Sequence, residues 1–443
     1  MKHKIKHFRL KRELGLFELT MYGVGVILGA GIYALIGEGA GIAGYGLWLS
    51  FIIAAVVASF TGLSFAELSS MYPKEASAYV YTQKAFHRKA LSFTVGWLLI
   101  VSGVISVAAV ALGFSGYFAG LFGITGETNL VIIAALLIVF LSLINYIGIR
   151  ISAGFNIIST IIEVSGLVLV SIIGILFIFG FLNITTTADF TLGNYFVLPP
   201  GGITALISAA ALIFFAYLGF EDIVIVAEET KNAKRNVPKA LIFAMIISTV
   251  LYILVAFSSL AVMTPEELSA SNAPLTDVIE KAVPSASFLM SIIALFATAN
   301  TVLIILIVIS RMFCGVSREH SMPKCLGEIG KRGTPYVSVF IIMLFSIAAL
   351  FIGGIGTIAR LTTLSIFIMF MIVNLSLIVL RYKEPKANRP FRVPINIGRF
   401  PVITFLGFLS CSAMLFYFEP VLMFFEIFII LAGIVLYKIF NRK

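Results

Sequence analysis

The sequence predicts an all-α integral membrane protein of twelve transmembrane helices, and three observations predict it. The first is composition: of 443 residues, 60% are hydrophobic and only 12% are charged, with a mean hydropathy of +1.09. Soluble chains are about 25% charged, so this one cannot clothe a surface of its size in water, and a soluble enzyme is excluded. The second is the presence of twelve apolar runs, against the roughly 20 residues that a hydrocarbon core demands. The third is the placement of cations. Of the 31 Lys and Arg, all but Lys281 and Arg360 fall in alternate loops and in the two tails. That asymmetry is the positive-inside pattern. It puts both termini in the cytoplasm, supports an even number of spans, and explains the net charge of +10 as topology rather than a nucleic-acid footprint.

The elements follow in order. Basic residues open the chain, and an apolar run over 15–37 follows. Its length, its internal Glu18 and the lack of a cleavage site make it a first span rather than a cleaved leader. Span 2 covers 44–70 and ends before Lys74, Lys84, Arg88 and Lys89. Spans 3, 4 and 5 cover 90–120, 129–148 and 152–181, with Arg150 between the last two. Span 6 covers 202–227 and precedes Lys231, Lys234, Arg235 and Lys239; span 7 covers 239–263 and span 8 covers 286–311. Spans 9 to 12 occupy 336–352, 357–380, 401–418 and 420–440. Cys314, Cys325 and Cys411 form no disulfide framework, and two of them lie at the cytoplasmic loop after span 8, where thiols stay reduced. No long polar insert interrupts the spans, so the chain reads as one unit. Its parts are a cytoplasmic tail (1–14), spans 1–5 (15–181), spans 6–10 (202–380) and spans 11–12 (401–440).

Two spans contain segments that are poor helix. In span 1, Gly23, Gly25, Gly29 and Gly31 fall within nine residues, each costing about 1 kcal/mol against Ala in a helix. The Gly25–Gly29 spacing also suits close helix packing, and no strand precedes it as a dinucleotide fingerprint would require. In span 6, Gly219 is followed by Glu221 and Asp222 in the middle of an apolar run, where carboxylates are costly and commonly functional. Both breaks lie about 15 residues into their spans, five helices apart and in oppositely directed helices. That is the pattern of an inverted five-helix repeat with discontinuous first helices and two helices left over. An unwound segment offers N–H groups and a positive dipole end to a carboxylate, and carbonyl groups to an ammonium. The ligand implied is a zwitterion such as an α-amino acid.

Several motifs resemble the amino acid–polyamine–organocation transporter superfamily, in the same order along nearly the whole chain. They are Gly29-Ala30-Gly31-Ile32, then Phe65-Ala66-Glu67-Leu68 through Tyr72-Pro73 to Ala78-Tyr79-Val80-Tyr81, and Phe214 to Glu221. The loop from Glu228 to Pro238 follows, then Ser310-Arg311-Met312 with Met322-Pro323 and Gly333-Thr334-Pro335, and finally Arg389-Pro390-Phe391-Arg392-Val393-Pro394. The resemblance implies a leucine-transporter-type 5+5 inverted repeat with discontinuous helices 1 and 6, plus two extra helices.

It also implies roles. The amides of Gly29, Ala30 and Gly31 would take the substrate carboxylate. Carbonyls near Ile27, Phe215 and Leu218 would take the ammonium, with Ala216 and Gly219 completing the unwound segment. Phe215 would close over the substrate side chain, with Tyr217 or Phe220 beside it. Glu221 sits where the family is often acidic and serves either coupling or the frayed backbone; Asp222 has no assigned role, and Glu67 reads as structural. In span 5, Glu163 stands where several proton-coupled relatives carry Lys, so their Lys-based mechanism does not transfer. Removal from water favours the neutral form of a carboxyl group, which makes Glu163 the leading proton carrier; ionised, it would instead help to bind a cation. Asn300 and Thr301 of span 8 are the polar groups placed to meet it. In span 3, Ser102 occupies the position at which cationic amino-acid carriers hold Glu, which points to neutral substrates.

No HExxH, phosphate-binding loop or nucleophile elbow is present, so the expectation is no enzyme and no cofactor. The absence of a nucleotide-binding segment argues against an ATP-driven pump. The sequence therefore predicts a secondary transporter of amino acids in the cytoplasmic membrane, with protons or sodium as coupling ion, the lipid bilayer as surroundings and no nucleic-acid partner. Exchange, sodium coupling, and a receptor or channel on the same fold are the alternatives. The lack of a long signalling segment argues against a receptor, and the lack of a repeated filter motif argues against a channel. No Cys lies in an outside loop to anchor a glycoprotein partner; oligomeric state is not readable.

Overall fold

A computed structural model describes residues 14–72, 77–147, 153–182, 191–225, 230–318, 322–328, 330 and 334–440. The N-tail cations, Lys74, Arg150, Glu228, Glu229 and Gly333 lie outside the described residues. What is described is almost entirely helical. In chain order the helices are α1 (Leu16–Leu28), α2 (Ala30–Ala43), α3 (Leu47–Met71), α4 (Ser77–Phe86), α5 (Lys89–Phe122), α6 (Glu127–Ile147) and α7 (Ala153–Ile178). Then follow α8 (Gly202–Ile213), α9 (Asp222–Ile225), α10 (Ala233–Val262), α11 (Pro265–Ala270), α12 (Pro274–Ala282) and α13 (Ser287–Arg318). The last four are α14 (Tyr336–Ala349), α15 (Ile355–Lys383), α16 (Val402–Met414) and α17 (Pro420–Phe440).

Among the described residues, nine helical stretches are long and apolar enough to cross a membrane, and two shorter apolar helices cover Tyr336–Ala349 and Val402–Tyr417. The first stretch, Leu16–Met71, has 56 residues. As one straight helix it would run roughly 84 Å, far beyond a core of about 30 Å. It is interrupted at Gly29 and again at Gly44–Gly46, where Gly44 adopts the left-handed φ of 56°. The first helical region also runs further than expected, to Ala43 rather than residue 37. Helix α10 begins at Ala233, six residues before the expected 239, with Pro238 inside its second turn.

Hydropathy overlooked three short helices because they are amphipathic and too short to span. Helix α11 is started by Thr264, whose hydroxyl accepts from the Glu267 amide while the Glu267 carboxylate accepts from the Thr264 amide, a reciprocal cap with Pro265 at the first helical position. It lies against α2, whose Gly37 approaches the Leu268 carbonyl so closely that an added Cβ would sit 2.5 Å from it. Helix α12 packs on α13 and α2, and α4 packs under α5 and α15.

Helices α5, α13 and α15 pack against each other or a common neighbour at the centre, and α3 and α10 form a second long contact. Polar side chains bind helices across this apolar interior. Asn374 donates to the Thr61 hydroxyl at 3.0 Å, and the Ser64 hydroxyl donates to that of Thr404 at 3.1 Å. Such bonds are favoured where lipid offers no alternative partner. At one end of α3, Glu67 is fully buried and is bridged by Arg381, whose Nε donates at 2.8 Å, by the Val393 amide at 2.8 Å, and by Arg389 at 3.2 Å. Glu67 is thus a structural anchor, tying α3 to the loop after α15. That loop carries a two-residue antiparallel ladder, Asn396–Ile397 with Phe400–Pro401.

Candidate functional site

The site starts where the backbone of span 1 stops being helical. Helix α1 ends at Leu28 and α2 starts at Ala30, with Gly29 between them at φ −44° and ψ −150°. The break leaves the first amides of α2 without carbonyl partners in the preceding turn. The Ala30 N–H finds one in a side chain, donating to the Thr301 hydroxyl of α13 at 3.0 Å. The Ile27 carbonyl, at the other lip of the break, accepts from the Tyr252 hydroxyl of α10 at 2.6 Å.

Span 6 breaks by a different route. Helix α8 ends at Ile213 and tightens into a short turn over Phe214–Tyr217. Leu218 is extended, and Gly219 has φ of +107°, a conformation that L side chains rarely adopt. Helix α9 resumes at Asp222. The Gly219 N–H, which has no helical acceptor, donates to the Glu221 carboxylate at 3.0 Å. Glu221 therefore satisfies the frayed backbone of its own break, one of the two roles expected of it.

The two breaks touch. A Cβ added to Gly31 would lie 2.5 Å from the Ala216 Cα, so only a hydrogen fits there. Between the breaks and α5, α13 and α15 lies a cavity of about 90 Å³. Ile27, Gly29, Ala30, Gly31, Phe215, Leu218, Gly219, Glu221 and Thr301 all line it. Ala216 stands behind Gly31, its carbonyl accepting from Tyr252 at 2.7 Å. The rest of the lining is mostly aliphatic, with Leu99, Ile304, Ile305 and Ile366 prominent; Asp222 adds a second carboxylate, Ser102, Ser106 and Thr362 add hydroxyls, and among the described residues no Lys, Arg or His contributes. Such a chamber offers amide dipoles to a carboxylate at one place and an apolar surface to a side chain.

The expected neighbours of Phe215 are not there. The Tyr217 hydroxyl donates to the Phe51 carbonyl at 3.1 Å, and Phe220 packs against Phe65 and Phe370. The turn between α8 and α9 sends these two rings into the protein interior on its far side.

Glu163 lies fully buried on α7 and does not line the cavity. Its Oε1 accepts from the Asn300 side-chain amide at 2.9 Å, while its Oε2 has no hydrogen-bond partner among the described residues. Its backbone carbonyl accepts from the Tyr33 hydroxyl at 2.6 Å, and the Tyr117 hydroxyl in turn reaches the Tyr33 carbonyl at 2.7 Å. Thr298 turns away to its own helix, donating to the Ala294 carbonyl at 2.7 Å. The fold thus brings Glu163 and Asn300 together, puts Thr301 on the span 1 break, and sets Glu221 apart on the span 6 break. Tyr252 and Tyr33, which bind backbone at both places, escaped the sequence reading. A Tyr in an apolar run carries no signal of which carbonyl it will meet.

Two discontinuous helices meeting at an intramembrane cavity, with backbone amides turned toward it, define a solute permease rather than an enzyme. The sequence profile of amino acid permeases matches residues 14–438, and the chain belongs to that family within the amino acid–polyamine–organocation superfamily. It is 30% identical to the branched-chain amino acid permease BcaP of Bacillus subtilis (strain 168), over 98% of this chain and 94% of that protein. It is 28% identical to the methylthioribose transporter of the same organism, over 98% and 94%. It is also 28% identical to the vacuolar cationic amino acid transporter 4 of Arabidopsis thaliana, over 86% and 66%.

Proposed function

We propose that this permease is a proton-coupled secondary transporter of neutral, aliphatic amino acids, working by alternating access in the cytoplasmic membrane. One observation carries the reading: the two helix breaks meet at a cavity whose remaining wall is mostly aliphatic, its ionisable side chains among the described residues being the carboxylates Glu221 and Asp222 at the second break. The carboxylate is assigned to the amides of Gly29, Ala30 and Gly31, and the ammonium to carbonyls of Ile27, Phe215 and Leu218. Ala216 and Gly219 give the second break its shape, and Phe215 closes over the side chain. Resemblance to a branched-chain permease supports the aliphatic choice.

Twelve crossings are the topology we assign. The long first stretch supplies two, and the two shorter apolar helices complete the set. Residues 15–181 and 202–380 are the inverted repeats, 401–440 the extra pair and 1–14 a cytoplasmic tail; both termini are cytoplasmic. In that topology the cavity faces inward. Beyond Thr301 its lining follows α13 only toward the C-terminal end, through Ile304, Val308 and Met312, which is the cytoplasmic end. Glu163 carries the proton, because its second oxygen is buried with no hydrogen-bond partner among the described residues.

The test is uptake into proteoliposomes with an inward proton gradient, with a sodium gradient, and with neither. Leucine accumulation driven by the proton gradient and lost in Glu163→Gln is the expected result. Accumulation on sodium alone would replace the proton with sodium. Movement only against a preloaded amino acid would make the protein an exchanger, and binding without movement would make it a receptor.

A further inference from the structure

Neighbouring residues on one turn of α13 hold two different parts of the machinery. Asn300 donates to Glu163 Oε1 at 2.9 Å. Thr301, the next residue, accepts the Ala30 N–H at 3.0 Å while donating its own proton to the Ala297 carbonyl at 2.9 Å. The Thr301 hydroxyl therefore occupies one of the amides assigned to the substrate carboxylate. The fit is close: a Cβ on Gly29 would collide with that hydroxyl oxygen. With its single proton committed to Ala297, the hydroxyl presents only lone pairs to Ala30, as a carboxylate oxygen would.

We propose that Thr301 is a positioning residue that makes the substrate amides answer to the charge of Glu163. This inference rests on the proton-symport reading and goes beyond it by naming the connection. An ionised Glu163 holds the Asn300 amide by a charge-assisted bond, stronger than one to a neutral carboxyl. That grip fixes the turn of α13 with Thr301 on the Ala30 amide, in competition with substrate. Protonation at the unpartnered Oε2 weakens the grip, lets the turn relax, and gives the Ala30 amide to the carboxylate. Proton and substrate then favour each other's binding, and by linkage the effect is reciprocal. Among the described residues, the titratable groups that feel the Glu163 carboxyl are Tyr33 of α2, which donates to its backbone carbonyl, and Tyr252 of α10. Both are neutral phenols near neutral pH. Helix α13 offers the neutral Asn300, and the ion pairs found among the described residues do not include Glu163.

The experiment is equilibrium binding of radiolabelled L-leucine to the purified full chain, from mildly acidic to mildly alkaline pH. The wild type should bind more weakly as pH rises, by up to about tenfold per pH unit for linkage to one proton. Glu163→Gln should bind tightly with no pH dependence. Thr301→Val, which removes the competing hydroxyl at nearly constant volume, should also lose the dependence, whereas Thr301→Ser should keep it. Asn300→Leu cuts the same connection at its other end and should flatten the profile too, so the conclusion does not hang on one variant folding. A wild-type slope retained in Thr301→Val overturns the inference and leaves proton coupling standing. So does a flat profile in Thr301→Ser, which would assign the effect to methyl packing. A wild type that binds no leucine, or binds it equally at every pH, overturns the symport reading and this inference with it.

Discussion

The Tyr252 hydroxyl lies 2.6 Å from the Ile27 carbonyl oxygen and 2.7 Å from that of Ala216. One phenolic proton serves two acceptors, and those acceptors belong to the two helix breaks. Tyr252 is fully buried. The residue fastens α10 to both discontinuous helices at the level where they unwind. Tyr252→Phe leaves the ring and removes the hydroxyl, stranding buried carbonyls at a cost of about 1–3 kcal/mol. The expected outcome is a lower melting temperature in detergent together with severely reduced leucine uptake. Normal uptake at normal stability would show that the bridge does not matter.

Gly31→Val should abolish leucine binding while leaving membrane insertion intact. Its Cβ would meet the Ala216 backbone, which cannot yield without moving the second break. Gly29→Val should do the same, because its side chain would fill the space in front of the Ala30 amide that the Thr301 hydroxyl now reaches. Wild-type binding in purified Gly31→Val would relocate the substrate site.

Removing the charge of Glu67 should be among the most destabilising conservative changes in the molecule. Glu67→Gln leaves Arg381 and Arg389, with side chains 3% and 8% exposed, facing no anion at that position. Breaking a buried pair by deleting one partner costs about 3–5 kcal/mol. The measurable result is loss of monodisperse protein on extraction, with a large fall in melting temperature for whatever survives. Binding affinity in the surviving fraction should be unchanged, because Glu67 is an anchor of α3 and does not line the cavity.

The proposed inward-facing orientation makes a prediction about access. Met312→Cys, in a background with Cys314, Cys325 and Cys411 replaced, should react with a membrane-impermeant thiol reagent in inside-out vesicles but not in intact cells. Labelling from the outside alone would reverse the assigned orientation.

Much of the architecture was legible from periodicity and charge. The apolar runs found their helices to within a few residues, as with 420–440 for α17 and 90–120 for α5. Both breaks were visible as glycine-rich or carboxylate-bearing interruptions, since helix propensity is a local property. Boundaries slipped where tertiary contacts extended a helix: α2 continues to Ala43 beneath α11 and α12, and α10 gains turns before residue 239. The amphipathic α4, α11 and α12 carried too little hydropathy to register. Within the site, Gly29, Gly31, Phe215 and Gly219 reach one cavity, whereas Tyr217 and Phe220 turn elsewhere.

By itself the sequence determined that this is a helical membrane permease and where its helices cannot be continuous. Both follow from quantities summed along the chain: apolar length against bilayer thickness, cations against loop side, and glycine against helix. Tertiary structure decided which side chain meets which exposed backbone group. Thr301 on the Ala30 amide, Tyr252 on two carbonyls, and Asn300 on Glu163 join residues 271, 225, 36 and 137 positions apart. A buried amide or carbonyl must find a partner, but the sequence does not say which helix will be beside it. Packing supplies that neighbour.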